Sequence, residues 1–295
     1  MIDSTRRAHI LMLLATVLVA TSFPVGAAIT HGLDSIILTL LRFALAALLF
    51  GPIVAWRYGL PLPGWRDLVR YGAISACLVG FFWGMFAALR HTSALNTGTI
   101  FTLTPAIAAA FSYLLLRDRL GRPAQLALPV GMVGAVWVIF RGDLDALLAL
   151  QLGRGDLIFL AACVGMGCYM PLVKFLHRGE PMARMTFWTL VMGTGWLFLL
   201  SLGRWASVEW TAVPISVFGG IVYLAVFTTL ITFFIFQSST TVIGPTRVAS
   251  YTYLNPAFVL LIGLAFGEPL PPAATYPGLL LIIGATFILQ RTKPA

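Results

Sequence analysis

From about Ile10 onward the chain is a succession of apolar runs separated by short polar connections. The runs cover about Ile10 to Thr30, Ile36 to Trp56, Leu68 to Leu89, Leu95 to Leu116 and Leu126 to Phe140. They continue over Asp156 to Phe175, Thr186 to Leu202, Val213 to Gln237, Arg247 to Phe266 and Ala274 to Leu289. Apart from the fifth and tenth, which are slightly short, each has the roughly 17–25 residues that cross a bilayer as a helix. In hydrocarbon a backbone must satisfy its own hydrogen bonds, so such a chain can fold only as helices packed on helices. The expectation is an all-α membrane protein with ten transmembrane helices.

Composition agrees. The chain is 59% hydrophobic and only 10% charged, with a mean hydropathy of +0.94, whereas a soluble domain carries about 25% charge. A net charge of +9 would suggest nucleic acid in a soluble protein. Here the basic residues collect in the connections on one side. With the first helix starting in the cytoplasm, the outer segments hold Arg90, Arg141, Arg154 and Arg204 of the 19 basic residues, and Arg42 lies within a span. The rest fall on the cytoplasmic side, a positive-inside pattern that places both termini there. The partners expected are therefore the lipid bilayer and a small-molecule substrate, not nucleic acid, and nothing in the sequence specifies an oligomeric state. Arg6 and Arg7 ahead of the first run resemble a twin-arginine signal, but the many apolar runs that follow favour a retained first helix. Cys77, Cys163 and Cys168 sit inside apolar runs and read as packing residues.

Two stretches share an unusual plan. Ile243 to Leu270 and Leu95 to Leu120 are each a span interrupted by a proline and followed by a carboxylate. With Pro105 set on Pro256, Leu103 meets Leu254, Ala106 meets Ala257, Thr104 meets Asn255 and Thr99 meets Ser250. Allowing one residue of slippage, Asp118 falls on Glu268 and Gly134-Ala135 on Gly284-Ala285. The chain reads as one unit written twice, over residues 1–145 and 146–295. Five helices per unit is an odd number, so the second unit enters the membrane from the opposite face. Two inverted five-helix repeats are a plan of secondary transporters that alternate access around a midplane site.

The segments FAALRHTSALNTGTIFTLTPAIAAAFSYLLLRDRL and FIFQSSTTVIGPTRVASYTYLNPAFVLLIGLAFGEPL, with Leu41-Arg42-Phe43 in the second helix, resemble the paired EamA-type repeats of the drug/metabolite transporter superfamily. The resemblance spans Thr16 to Leu289. It implies a ten-helix inner-membrane carrier with a cavity between its halves, similar to exporters of aromatic and neutral amino acids. Where that pattern has Gly-Glu after the fourth helix, this chain has Arg117-Asp118.

The spans hold almost no ionisable groups, and such groups usually mark function. No Asp or Glu lies near the middle of a helix, and Arg42 is the basic residue set well inside one. A carrier of organic cations is expected to hold a buried carboxylate, and one of phosphate esters several basic groups. A neutral or zwitterionic cargo fits better. Arg42 itself reads either as a carboxylate partner or, more in keeping with its place in the second helix, as a helix tie or a snorkelling group. Ser22, Trp83, Tyr169, Thr229, Tyr251 and Asn255 are the candidate substrate-binding residues, polar or aromatic near mid-helix. Tyr251 and Asn255, four apart, share a face of an ideal helix. Pro24, Pro105, Pro171 and Pro256 are candidate hinges, Pro24 and Pro171 being expected to break the first and sixth helices. Gly80 with Gly84, and Gly263 with Gly267, have the spacing of close helix contacts. His9, His31, His91 and His177 are scattered near the connections, so no metal site, cofactor or catalytic constellation is expected, and the chain does not read as an enzyme. A drug or nucleotide-sugar carrier of the same superfamily, or a non-transporting membrane sensor, are the alternatives.

Overall fold

The computed structural model describes residues 4–29, 32–89, 91–92, 94–149, 153–265, 267 and 270–291, with the side chains at 23, 24, 27, 86, 89, 94–96 and 99 outside that description. Among the described residues every regular element is helical. The elements are α1 Ser4–Ile29, α2 Ser35–Tyr58, α3 Trp65–Leu89, α4 Ala94–Phe101, α5 Thr104–Leu116, α6 Arg122–Ile139, the short α7 Leu144–Leu148, α8 Arg154–Leu176 and α9 Met182–Ser201. After two 3-10 turns come α10 Ile215–Ala225, a π-helical segment Val226–Ile231, α11 Thr232–Ile243 and α12 Pro245–Ser250. A 3-10 turn, Tyr251–Leu254, leads into α13 Asn255–Ala265, and α14 Tyr276–Arg291 closes the order.

Among the described residues, seven helical stretches are long and apolar enough to cross a membrane: 35–58, 65–85, 122–139, 154–176, 215–243, 245–265 and 273–291. The three other apolar runs correspond to α1, to the α4–α5 pair and to α9. The protein is thus a multi-pass membrane protein.

Helix ends follow local chemistry. The Asp34 carboxylate accepts the Ile36 and Ile37 N–H groups at 2.9 and 3.3 Å and so opens α2. Arg117 takes the left-handed conformation, φ 55°, and its N–H and that of Asp118 return to the Tyr113 and Ser112 carbonyls to close α5. Gly267, just past α13, has the same hand, φ 88°. The glycine missing from the family pattern after the fourth span therefore leaves an arginine in a backbone conformation that glycine adopts without penalty.

The expected breaks are distributed differently. α1 runs through position 24 and α8 through Pro171 without interruption; the Pro24 side chain lies outside the described residues. A proline removes one backbone bond, and packing by neighbouring helices is enough to carry a membrane helix past it. The fourth and ninth spans, by contrast, are broken. Pro105 and Pro256 each occupy the first turn of a new helix, α5 and α13, where a missing N–H costs nothing. They start helices and do not kink them.

Packing is pairwise. α3 lies along α8 and α1 along α11; α5 meets α8 and α13 meets α1; α3 meets α9 and α10 meets α2; α2 packs on α9 and α6 on α14. Small residues set the closest approaches. A Cβ on Gly84 would stand 2.7 Å from Ala162 Cβ, and one on Gly134 would stand 2.9 Å from the Gly278 carbonyl. Gly80 has nothing within 4 Å, and Gly267 serves its turn and makes no helix contact. The largest buried cluster joins α1, α2, α3, α8, α9 and α11 around Phe43, Tyr169 and Leu190. A second cluster, between α6 and α14, closes on Tyr253, whose hydroxyl donates to the Leu128 carbonyl at 2.9 Å.

Candidate functional site

The strongest polar feature inside the spans is built from α2 and the π segment. A π turn has one residue more than an α turn, so its carbonyls are poorly matched to the backbone ladder and side chains compete for them. Thr228 and Thr232 donate along their own helix, to the Leu224 and Thr228 carbonyls at 3.1 and 2.9 Å. Arg42, on α2, fills the rest of the widened turn. Its Nη2 donates to the Thr228 carbonyl at 2.9 Å and to Thr228 Oγ1 at 3.2 Å, and its Nε donates to Thr229 Oγ1. The guanidinium also lies over the Phe82 ring of α3, 5.1 Å from its centroid, as cations favour the negative face of an aromatic ring. Thus α2, α3 and the π segment meet at one side chain.

Around it is an aromatic group. Phe43 sets its edge against Phe82 and Phe233, with centroids 5.9 and 5.6 Å apart, and Phe82 and Phe233 are near-parallel at 25°. Tyr169 of α8 approaches Phe233 at 6.4 Å. Its hydroxyl accepts from Gln237 Nε2 at 3.1 Å, and Gln237 Oε1 accepts from Thr186 at 2.6 Å. Tyr169, Thr186 and Gln237 are each 0% exposed, so this amide satisfies three helices at once in a place where unpaired groups are costly.

The other sequence candidates are dispersed. Thr229 belongs to the Arg42 site, and Tyr169 stands behind Phe233. Ser22 donates to its own Val19 carbonyl at 2.6 Å, the usual resting state of a helical serine. Tyr251 is buried at the end of the bundle where α1 begins and pairs its hydroxyl with His9 Nδ1 at 2.9 Å. The 3-10 turn between Tyr251 and Asn255 has about three residues per turn, which takes Asn255 off the face of Tyr251. Asn255 is buried with no partner for Oδ1 among the described residues. Trp83 is half-exposed on α3. Thr104, the repeat partner of Asn255, is buried beside the Cys163 thiol.

Three contributors went unselected in the sequence: Gln237, Phe82 and Phe233; Thr228, beside Thr229 at the middle of the eighth run, was among its polar candidates. The alignment that sets Pro105 on Pro256 also sets Phe82 on Phe233, and that signal was available. No residue pattern announces Gln237 or the π turn.

Ion pairs lie at helix ends. Arg70 meets Asp67 at 2.9 Å and Glu180 at 3.1 Å, Lys174 meets Asp118 at 3.1 Å, and Arg204 meets Asp34 at 3.1 Å. Burial by itself raises the Glu180 carboxyl. The backbone N–H groups of Glu180 and Arg178, with Arg70 and His177, outweigh it and hold the group below the usual carboxylate value. Among the described residues no cluster of His, Cys, Asp or Glu is suited to a metal ion.

Long apolar helices, two of their spans broken, with Arg42 held against the Phe82 ring, define a multi-pass membrane protein. The chain belongs to the EamA-like transporter family, whose pattern matches residues 6–140 and again 153–290. It is 26% identical over 250 residues to YyaM of Bacillus subtilis (strain 168), described as an uncharacterized transporter, covering 82% of this chain and 80% of that one. It is 27% identical over 254 residues to the protein PecM of Dickeya dadantii (strain 3937), covering 85% and 82%. An uncharacterized transporter of Archaeoglobus fulgidus is 23% identical over 290 residues, covering 96% of both chains. A solved crystal structure superposes with a TM-score of 0.80 over 96% of each chain, at 19% identity, which speaks to the fold alone.

Proposed function

We propose that this transporter moves small neutral or zwitterionic metabolites, amino acids including aromatic ones foremost, by alternating access, and that it works as an exporter in the inner membrane. Ten spans form two inverted units, residues 1–145 and 146–295, with both termini cytoplasmic. The observation that carries the reading is the exchange symmetry of the packing. Replacing α1 by α8, α2 by α9, α3 by α10–α11, α4–α5 by α12–α13 and α6 by α14 turns α3–α8 into α1–α11, α5–α8 into α1–α13 and α3–α9 into α2–α10, and leaves α2–α9 and α6–α14 as they are. Two such halves can swap conformations and open a shared midplane site to either side in turn. The two successive family matches and the matched left-handed ends at Arg117 and Gly267 support the same boundary.

The cargo class rests on charge. A mid-span cation with no carboxylate of the described residues beside it suits a zwitterion better than an organic cation. Thr229 and the aromatic residues around Arg42 form the binding surface, with Asn255 and Trp83 further along the path. Ser22, Tyr169 and Tyr251 line or brace it, Pro105 and Pro256 mark the flex points between half-helices, and Pro24 and Pro171 are the corresponding points of α1 and α8. The protein carries out no covalent chemistry.

Counterflow into proteoliposomes tests this. Vesicles loaded with unlabelled L-phenylalanine are expected to accumulate external radiolabelled L-phenylalanine transiently, and small neutral amino acids to compete. No accumulation above empty vesicles for any amino acid would remove the reading.

A further inference from the structure

Arg42 ties α2 to the π segment, but the tie uses only part of the side chain. A guanidinium has five N–H donors in a planar fork. Nε and Nη2 are committed to Thr229 and Thr228. Nη1, with two donors, makes no hydrogen bond to a described residue, and Arg42 as a whole is only partly buried. Every oxygen bound to Arg42 belongs to a neutral group, and no carboxylate of the described residues comes within ion-pair distance. The positive charge is therefore hydrogen-bonded on one edge and uncompensated on the other.

Snorkelling does not explain that arrangement. Arg42 lies two helical turns inside α2, about 10 Å from Ser35 at 1.5 Å per residue. Its head group is held by residues at the middle of the 215–243 stretch, where no phosphate headgroup reaches. An ionised side chain at such depth is kept only where something repays it. Three neutral acceptors satisfy hydrogen bonds without neutralising the charge.

We infer that the free Nη1 edge of Arg42 receives the carboxylate of the cargo, with the partly exposed Phe82 ring, backed by the buried Phe43 and Phe233, meeting the cargo's apolar part. The ligand class is a monocarboxylate with an apolar or aromatic body, the carboxylate of an amino acid included. One guanidinium edge matches one carboxylate in charge and geometry; a phosphate ester brings a second negative charge that nothing here balances. The inference deepens the proposed transport of zwitterions and rests on it for the cargo, but not for the anion site.

The test compares two probes of nearly the same shape, phenylacetate and phenylacetamide, on the purified full-length protein, with binding read from titrated thermal stabilisation. Wild type is expected to bind phenylacetate at least about tenfold more tightly than phenylacetamide, the size of one hydrogen bond to a charged group. Arg42→Gln is expected to lose that preference while still binding phenylacetamide, and Arg42→Lys to keep part of it. Equal binding of the two probes by wild type, or binding of neither, overturns the inference. So does an equal loss of both probes in a folded Arg42→Gln protein, the signature of a tie alone. If Arg42→Gln does not fold, Arg42→Lys decides: an unchanged preference overturns the fork, a reduced one supports it. Arg42-dependent phenylacetate binding without amino acid counterflow sinks the amino acid reading and leaves the anion site. Counterflow equally strong in wild type and Arg42→Gln does the reverse.

Discussion

The backbone at Arg117 and Gly267 makes a paired prediction. Both residues close a broken span, both have positive φ, 55° and 88°, and one is arginine. An L side chain in the left-handed region costs about 1–2 kcal/mol, through the approach of Cβ to the following carbonyl. Glycine avoids that cost but gives back about 0.5–1 kcal/mol through the extra freedom of the unfolded chain. Arg117 is exposed, and its side chain makes no hydrogen bond among the described residues, so little else is lost on replacing it. Arg117→Gly is expected to stabilise the protein by about 0.5–1 kcal/mol, and Gly267→Ala to destabilise it by a similar amount. For a chain of this size the shifts are about 1–3 °C in opposite directions, measurable by thermal unfolding in detergent with replicate melts. Shifts of the same sign, or a loss of stability in Arg117→Gly, would refute the argument that backbone strain separates the two helix ends.

Further outcomes are checkable in the same way. Tyr169→Phe removes the acceptor of the buried Gln237 amide and is expected to lower stability by about 1–3 kcal/mol, read as a fall in melting temperature. Gly84→Val places side-chain carbon against Ala162 at a point where a Cβ already stands at 2.7 Å; a loss of about 1–3 kcal/mol is expected. Gly80→Ala, with nothing within 4 Å, is expected to be neutral or to gain up to about 1 kcal/mol. Because the folded-state pKa of Glu180 is depressed, its contribution is present above the unfolded carboxylate pKa and fades as pH falls through the lowered folded value. Melting temperatures between pH 7 and pH 3 are therefore expected to fall more steeply in wild type than in Glu180→Gln; parallel curves would count against the Arg70–Glu180 tie.

Much of the architecture was legible because hydrocarbon leaves a chain few options. Run length and charge placement suffice to locate the helices, and matching Pro105 with Pro256 identified the two spans that are indeed broken. The form of the break was not legible, because Tyr251 to Leu254 carry no residue that distinguishes a 3-10 turn from an α turn. Ser22 and Tyr169 looked alike in the sequence, each two residues before a proline. One bonds its own backbone and the other reaches Gln237, 68 positions away, a difference set by which helix happens to lie opposite. Arg42 was visible as an oddity, but its setting depends on a π turn in the sequence VFTTLI, which has no composition that foretells it.

The π turn has a further consequence for a bundle built from two similar halves. If two identical halves exchanged conformations, the two states would be related by a two-fold rotation and equal in energy, and neither would be preferred at rest. The alignment that sets Pro171 on Pro24 sets Thr189 on Arg42, so one half has a guanidinium where the other has a hydroxyl. The widened turn that Arg42 grips likewise sits in α10–α11, while α3, its counterpart, has no such segment. Any bias between facing one side of the membrane and facing the other would be written in such unmatched positions, and this one joins α2, α3 and the π segment at a single side chain.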